Sequence, residues 1–508
     1  MGQALKNNIF LYCILFVYWN LQLACKPTRP YEGLDSLVKE YSTHPIDSLR
    51  LSAALFLDKN GRSASSQKIY FTDQNAKEVT FDLTTVTSDS GLNVALAKNS
   101  YHAAFRTVYD IRVLEKERLR REIDMAIADW KTYPWAKQVP ERIFLNNLLP
   151  YKIYGEYPDE WRIFSKRKLK NLLQKICDLK IQSADEVYEI LINQANTSLP
   201  FRYSEQFTAL TNYPSFTELN AIRRGDCLRI AYFNVYKLRS AGIPATIDIV
   251  PFWGDRNGGH AIDVFYRKIL NGTIAREIFG PPNGQQLIHP PKVFRISFEK
   301  TNVLTDSIKP LLSENDSFLP SHLYMGDNLE DVTDIHTTTK DIRYTLTNRT
   351  DKRIAYICVY NGGEWKPLFY GKINKNSKII FRKMGLNMLY HLALPSGAGY
   401  ELIEPPFILS SKGKIIFFND HHKIVKEFVV RKITNSDFGW VKKKHRYFLS
   451  VMNQYGSWQN VEGKIATRDS IITFSNIPCE NLYRIVDETI APIVSRPFSY
   501  AKGNQNWY

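Results

Sequence analysis

Cys227 and His260 are two residues of this sequence whose types and surroundings are suited to nucleophilic chemistry. A cysteine thiolate attacks carbonyl carbons, and a nearby histidine takes the thiol proton and later delivers a proton to the leaving amine. Whether such a pair can form depends on the elements that carry the two side chains.

A helix is predicted to begin at Cys227. Asp226, directly before it, is a favourable N-cap residue, and Gly242 with Pro244 ends the predicted helix after Ala241. Cys227 would then lie in the first turn, where the positive end of the helix dipole stabilises a thiolate.

His260 is predicted to open a strand. A strand from Ala245 to Trp253 precedes it, followed by a mobile-looking loop at 254–259 and then the run His260-Ala-Ile-Asp-Val-Phe-Tyr266. A cysteine on a helix that faces a histidine on a strand is the arrangement that a Cys–His pair requires.

These motifs resemble the transglutaminase-like superfamily of papain-type thiol enzymes. The matching residues are Gly225-Asp-Cys227, Arg239-Ser-Ala-Gly-Ile-Pro244 and Gly259-His-Ala261. More closely, the chain resembles exported transglutaminase-like proteins of Bacteroidetes, through residues 47–57, the passage 130–161 and the β-rich tail. The resemblance implies that Cys227 is the nucleophile, that His260 is the general base, and that the backbone N–H of Cys227 forms part of an oxyanion site.

The third catalytic position departs from the family pattern, which places an Asp on the strand after the histidine. Here Asn271-Gly272 predicts a two-residue hairpin turn that sets Glu277 opposite Tyr266. Glu277 is the candidate orienting residue because it shares the face of His260, although it lies about 20 Å along the strand at roughly 3.3 Å per residue. Asp263, an odd number of residues from His260, is expected to point to the opposite face.

The sequence predicts a multidomain α+β protein with a helical N-terminal region, a transglutaminase-like, cysteine-protease-type α+β core and tandem C-terminal β-sandwich modules. Within the helical region, a long helix is expected from about His102 to Trp130. The predicted segments are a signal peptide (1–24), a lipid-anchor tether (25–33), the helical region (34–150), the core (151–290) and two β-sandwich modules (291–432 and 433–508).

An internal repeat supports the two β-modules. The first copy contains Val359-Tyr-Asn361, Trp365, Gly371-Lys-Ile373, Ile379-Ile-Phe381 and Leu389-Tyr390. The second contains Val451-Met-Asn453, Trp458, Gly463-Lys-Ile465, Ile471-Ile-Thr-Phe474 and Leu482-Tyr483. The same order of motifs in both predicts two modules related by duplication, with Trp365 and Trp458 in equivalent core positions.

The N-terminus predicts export. An apolar run, Ile9–Trp19, is too short to span a bilayer but suits a signal peptide, and Ala24-Cys25 resembles the cleavage and lipidation site of a bacterial lipoprotein. Lipidation at Cys25 would make the protein a cell-envelope lipoprotein, in the periplasm or at the outer membrane. A plain secretory signal followed by an incidental cysteine is the alternative.

Composition narrows the class of protein. The 508 residues are 44% hydrophobic and 23% charged, which excludes a disordered or collagen-like chain, and six cysteines are too few for a disulfide scaffold. The net charge of +16 falls to +15 when residues 1–24 and their single Lys6 are removed. For an exported protein this charge favours an anionic glycan or membrane surface over nucleic acid.

No cofactor or metal is predicted. The chain has no P-loop, dinucleotide fingerprint or zinc-ligand spacing, and adjacent residues such as His421 and His422 point to opposite faces of a strand.

Two main functions remain open from the sequence, and a purely structural surface lipoprotein is a distant third. The first is a thiol enzyme that attacks a carboxamide or peptide carbonyl of a protein or peptide substrate, such as a cell-wall peptide, and acts as a peptidase or amidase rather than as a crosslinker. The second is an inactive binding or scaffold lipoprotein that contacts glycan, peptidoglycan or a protein partner. The Cys–His pair favours the first function, and the unusual third position favours the second.

Overall fold

The computed structural model describes residues 32–43, 48–205, 213–271, 274–280, 287, 289–301, 308–418, 424–434, 439–453, 456–478, 481–489, 493–501 and 503–508. Side chains are not described at 32, 194–198, 268–271, 274–279 and 324. The predicted signal peptide, Cys25 and the pair His421-His422 lie outside the described residues.

The chain has a mixed α/β fold with antiparallel sheets, divided into two compact units. The first unit takes its described residues from Met1–Thr246, Asp263–Pro282 and Ser297–Glu299. The second takes them from Ile247–Ile262, Asn283–Ile296 and Lys300–Tyr508.

Helices form most of the first unit. They are α1 (Glu32–Ser42), α2 (Ser48–Gly61), α3 (Asp89–Asn99), α4 (Lys116–Thr132), α5 (Glu141–Asn147), α6 (Trp161–Asp178), α7 (Ala184–Ser198), α8 (Phe216–Ile222) and α9 (Cys227–Ser240). Apolar residues of α4 at helical spacing, Leu119, Ile123 and Ala126, are buried in a core that also contains Leu37 of α1 and Leu57 of α2. This amphipathic pattern explains why α4 packs against its neighbours.

A strand replaces the first part of the helix predicted from His102 to Trp130. Strands β1 (Ser65–Thr72), β2 (Glu78–Val79) and β3 (His102–Tyr109) form an antiparallel sheet in the order β2-β1-β3. Every residue of β3 pairs with one of β1, from His102 opposite Thr72 to Tyr109 opposite Ser65. The prediction of helix was therefore wrong for this segment, because a partner strand about 40 residues earlier in the chain supplies its hydrogen bonds.

Further strands follow along the chain, in both units. They are β4 (Arg202–Tyr203), β5 (Arg224–Gly225), β6 (Ala245–Val250), β7 (His260–Asn271), β8 (Ile274–Gly280), β9 (Phe294–Ile296) and β10 (Leu329–Asp331). In the first unit, β7 forms an antiparallel hairpin with β8. In the second unit, β9 pairs with both β6 and β10.

The second unit is β-rich. Its remaining elements are α10 (Thr333–His336), β11 (Thr339–Thr345), β12 (Ile354–Asn361), β13 (Glu364–Lys372), β14 (Lys378–Gly385), β15 (Met388–Ser396), β16 (Gly399–Leu409), β17 (Ile415–Phe417), β18 (Ile424–Val430), β19 (Arg446–Met452), β20 (Trp458–Ile465), β21 (Ile472–Pro478), β22 (Leu482–Asp487), β23 (Ile493–Val494), β24 (Phe498–Ala501) and β25 (Asn504–Trp507).

The two repeat copies have the same strand pairing. In the first copy, β11 pairs with β14, and a second sheet has the order β13-β12-β15-β16-β17. In the second copy, β18 pairs with β21, and the other sheet has the order β20-β19-β22-β24-β25, with β23 also on β22. Because β18 belongs to the second copy, that copy begins before the predicted boundary at residue 433.

Each copy also has its own buried core drawn from both of its sheets. Phe381 and Tyr390 belong to the first core, and their repeat equivalents Phe474 and Tyr483 belong to the second. Tyr390 donates its hydroxyl hydrogen bond to the carbonyl of Gly385 at 2.8 Å, and Tyr483 does the same to Pro478. The shared pairing, core and tyrosine contact support duplication of one ancestral unit.

Of the helices in the described ranges, none has both the length and the apolar character that crossing a membrane would need.

Candidate active site

Cys227 is the first residue of α9 and is half-buried in the first unit. Asp226 caps the helix, because its Oδ1 accepts a hydrogen bond from the backbone N–H of Arg229 at 3.1 Å. Its Oδ2 lies 2.9 Å from Nη1 of Arg229. The predicted cap and the predicted helix start are confirmed, and the helix ends at Ser240, before Gly242. The thiol thus lies at the end of the helix whose dipole favours a thiolate.

Position 225 requires a glycine because the side chain of Arg229 packs closely against its backbone. A Cβ at Gly225 would lie 2.6 Å from both Cβ and Cδ of the Arg229 side chain. The absence of a side chain lets Arg229 fold back over β5 and reach Asp226. Gly225 and Asp226 of the Gly-Asp-Cys motif therefore both help to build the helix start.

Tyr203 is a neighbour of the thiol that the sequence did not indicate. It pairs with Gly225 across the parallel β4–β5 ladder, and its ring is exposed. Its hydroxyl donates to Oε1 of Glu205 at 2.5 Å. That hydrogen bond, burial, and the negative charges of Glu205, Cys227 and Asp226 raise the pKa of Tyr203 to about 12. The phenol therefore remains protonated near pH 7.

Asp263 anchors β7 to the helices of the first unit. It is buried, and its two oxygens accept hydrogen bonds at 3.1 Å from Nδ2 of Asn234 on α9 and from the hydroxyl of Tyr188 on α7. Burial raises the pKa of this carboxyl. These contacts give Asp263 a packing role in the first unit.

His260 is the first residue of β7, as predicted, and lies in the second unit. Its half-buried imidazole stacks on the ring of Trp253, with centroids 5.9 Å apart. The guanidinium of Arg256 lies 4.9 Å from the centre of the same indole. Burial and the charge of Arg256 lower the pKa of His260, so its imidazole is neutral near pH 7. A neutral imidazole is the form that can accept a thiol proton.

The strand before His260 ends at Val250 rather than at the predicted Trp253, so the loop covers residues 251–259, and hydrogen bonds hold it. The backbone N–H of Trp253 donates to the carbonyl of Gly258 at 3.0 Å. The N–H of Gly258 donates to Oδ1 of Asn361 at 2.9 Å. A Cβ on Gly259 would lie 2.5 Å from the carbonyl oxygen of Pro251, so a glycine is needed directly before His260.

Glu277 lies at a different hairpin register from the one predicted. Asn271 pairs with Ile274, and Glu277 therefore lies opposite Lys268 rather than Tyr266. Its backbone belongs to the first unit, whereas His260 belongs to the second. In the same register, the position opposite His260 would be residue 285, which lies outside the described residues. The role of Glu277 remains a prediction.

No described cluster of three or more His, Cys, Asp or Glu residues is suited to hold a metal ion. Asp248 is bound by Nε and Nη2 of Arg295 at 2.8 and 2.7 Å and by Nε2 of His336 at 2.6 Å. All three residues are buried. We assign this group to the interior packing of the second unit.

Comparison with known proteins gives little guidance. No protein-family model matches this chain, and no curated protein matches it. Among solved structures, the crystal structure of red sea bream transglutaminase is similar at 8% sequence identity, with 87% of this chain and 77% of that chain covered and a TM-score of 0.17. A TM-score that low carries no argument about fold or chemistry.

Proposed function

We propose that this protein is an exported thiol enzyme with a transglutaminase-like core, in which Cys227 is the nucleophile and His260 is the general base. The observation that carries the proposal is the position of Cys227 as the first residue of an Asp226-capped helix. The lowered pKa of His260 adds support, because a neutral imidazole is ready to accept a proton.

The proposed reaction begins when the imidazole of His260 accepts the proton of the Cys227 thiol. The thiolate attacks the carbonyl carbon of a carboxamide or peptide, and the backbone N–H of Cys227 donates to the oxyanion that forms. The imidazolium then protonates the departing ammonia or amine, which leaves a thioester. Water, deprotonated by His260, attacks the thioester and releases the acid and the thiol.

We further propose hydrolysis rather than crosslinking, with a protein or peptide substrate such as a cell-wall peptide. The proposed location is the cell envelope, with a lipid on Cys25 as the anchor. The two repeat copies would form β-sandwich modules, an interpretation supported by the single core that each builds from two sheets.

The test is the rate of alkylation of Cys227 by iodoacetamide as a function of pH, in the intact protein and in His260→Ala. Mass spectrometry of the digested protein reads each cysteine separately. Cys177 is a matched internal control, because it is also half-buried but lies at the C-terminal end of α6, where the helix dipole disfavours a thiolate. Burial and the neighbouring Asp178 raise the pKa of Cys177.

An activated pair would give Cys227 an alkylation midpoint well below about 8.5, the ordinary value for a thiol. The midpoint would move upward in His260→Ala, while Cys177 would stay unchanged. A Cys227 that reacts like Cys177, with no response to His260→Ala, would contradict the enzyme proposal.

The second candidate function is an inactive binding or scaffold lipoprotein. The hairpin register favours it, because Glu277 pairs further from the start of β7 than the sequence predicted. An unreactive Cys227 would direct the search to glycan, peptidoglycan or protein partners of the β-rich repeat.

A further inference from the structure

The loop before His260 is held by a side chain from the first repeat copy. Asn361 ends β12 and is only 4% exposed. Its Oδ1 accepts the N–H of Gly258 at 2.9 Å, and its Nδ2 donates to the carbonyls of Gly258, Arg256 and Trp253 at 2.9, 3.1 and 3.3 Å. One amide group thus binds the backbone at three positions of a short loop.

A second side chain, Arg496, holds the same loop from the second repeat copy. Its Nη2 donates to the carbonyl of Gly254 at 2.9 Å, and its Nη1 donates to Oδ1 of Asn257 at 3.0 Å. The Asn257 oxygen also accepts the N–H of Gly362 at 3.1 Å, from the turn that follows Asn361. Burial lowers the pKa of Arg496 to about 10, so the guanidinium is still charged near pH 7.

The side chain of Asn361 makes different contacts from those of its equivalent in the second repeat copy. Asn453 occupies the equivalent position in the second copy, and its Oδ1 accepts the N–H of Ser457 at 3.0 Å within its own turn. Two equivalent asparagines therefore make different contacts, one with its own turn and one with the loop before His260. The difference is what selection for a supporting role would produce after duplication.

We propose that Asn361 and Arg496 are positioning residues for His260, and that the β-rich repeat serves to hold the loop that sets the imidazole. The inference rests on the proposed function of His260 as a base. On this inference the β-rich repeat has a function in the chain, because each of its two copies contributes one side chain that supports the loop before His260.

The loop acts on His260 through two of its residues. Trp253 covers the imidazole, and Arg256 lies against Trp253. Arg256 is itself paired with Asp255 at 2.9 Å, and Asp255 lies 3.3 Å from Nδ1 of His289. The charges around His260 therefore depend on the shape of the loop, which Asn361 and Arg496 fix.

The test is an NMR titration of the His260 ring in full-length protein labelled at histidine, with His260→Ala used to assign the signal. In Asn361→Ala the loop loses its support, so the imidazole becomes better hydrated, and we expect its pKa to rise by about 0.5–1 unit. The matched control, Asn453→Ala, should leave the titration of His260 unchanged, although it removes the equivalent side chain from the repeat.

Two milder variants keep the inference testable if Asn361→Ala does not fold. Asn257→Ala alters an exposed side chain and removes the shared acceptor of Arg496 and Gly362. Arg496→Lys keeps the charge but cannot reach both loop acceptors with a planar fork. Both variants should also raise the pKa of His260, but by less than Asn361→Ala does.

A merely structural role predicts a different result. If the folded variants lose thermal stability while the His260 titration stays within about 0.1 unit of the unaltered protein, the positioning inference is overturned. Failure of the proposed function has a separate readout, namely a pH profile of Cys227 alkylation that His260→Ala leaves unchanged. The His260 titration in Asn361→Ala and the Cys227 alkylation profile in His260→Ala are separate measurements, so failure of the positioning role and failure of the proposed function can be distinguished.

Discussion

The indole of Trp253 stacks on the imidazole of His260, with ring centroids 5.9 Å apart and ring planes inclined by 25°. This contact joins the loop to the first residue of β7 and removes part of the imidazole from water. Because water stabilises the imidazolium more than the neutral ring, the stack favours the neutral form, which a general base requires.

Replacing Trp253 with Leu should raise the pKa of His260, since the smaller side chain admits water to the ring. We expect a rise of about half a unit, measured by NMR titration of the histidine Cε1–H signals. Trp253→Phe keeps an aromatic face and is the control, with a smaller rise. An unchanged titration in Trp253→Leu would show that the stack does not set the protonation of His260.

Gly225→Ala should destabilise the protein by about 1–3 kcal/mol, because the new methyl group would overlap the Arg229 side chain. Urea unfolding would measure the loss. In an Arg229→Gly background, where both obstructing carbons are gone, the same substitution should cost less than about 0.5 kcal/mol. Equal costs in the two backgrounds would mean that strain elsewhere around Gly225 is responsible.

Asp248 should make the second unit sensitive to acid. Burial opposes its ionisation, but Arg295 and His336 outweigh burial, so the pKa of Asp248 lies below its ordinary value of 3.8. A lowered folded-state pKa gives stability that is present above 3.8 and lost as the pH falls through the folded value. We expect Asp248→Asn to cost about 3–5 kcal/mol at pH 7, because the carboxylate that balances Arg295 is removed.

The measurement is urea unfolding of both proteins at pH 7 and pH 3. The stabilising effect of Asp248 should shrink at the lower pH, so the difference between the two proteins should narrow. A difference that stays constant between the two pH values would contradict the assignment of a lowered pKa to Asp248.

Tyr390→Phe and Tyr483→Phe should have matching effects, since the two tyrosines hold equivalent positions in the repeat. Each substitution removes one buried hydroxyl that binds a carbonyl five residues earlier. We expect a loss of about 1–2 kcal/mol from each, measured by thermal unfolding. Additive losses in the double variant are expected because the two contacts lie in separate cores. A large effect from one and none from the other would argue that the copies have diverged in packing.

Much of the local structure around the candidate site could be predicted from the sequence. Asp226 marks the start of α9, Gly242 and Pro244 follow its end, and His260 opens β7. The paired motifs of the repeat fall on β12–β15 and β19–β22 in the same order. Caps, turns and periodic patterns depend on neighbours within a few residues, so their signals are present in the chain itself.

Other features were decided by partners far away in the sequence. The segment from His102 to Tyr109 became a strand because it pairs with β1, and the hairpin of Asn271 adopted a register that moved Glu277 to Lys268. The glycine content of the loop before His260 suggests mobility, but its residues do not reveal the side chain that holds it. That side chain belongs to Asn361, 103 residues beyond Gly258, and it accepts a hydrogen bond from the Gly258 backbone. The sequence by itself determined which residues could do chemistry and the helix and strand that begin with them. The tertiary structure alone decided how the imidazole is supported, because hydrogen bonds between distant segments form only when the chain folds.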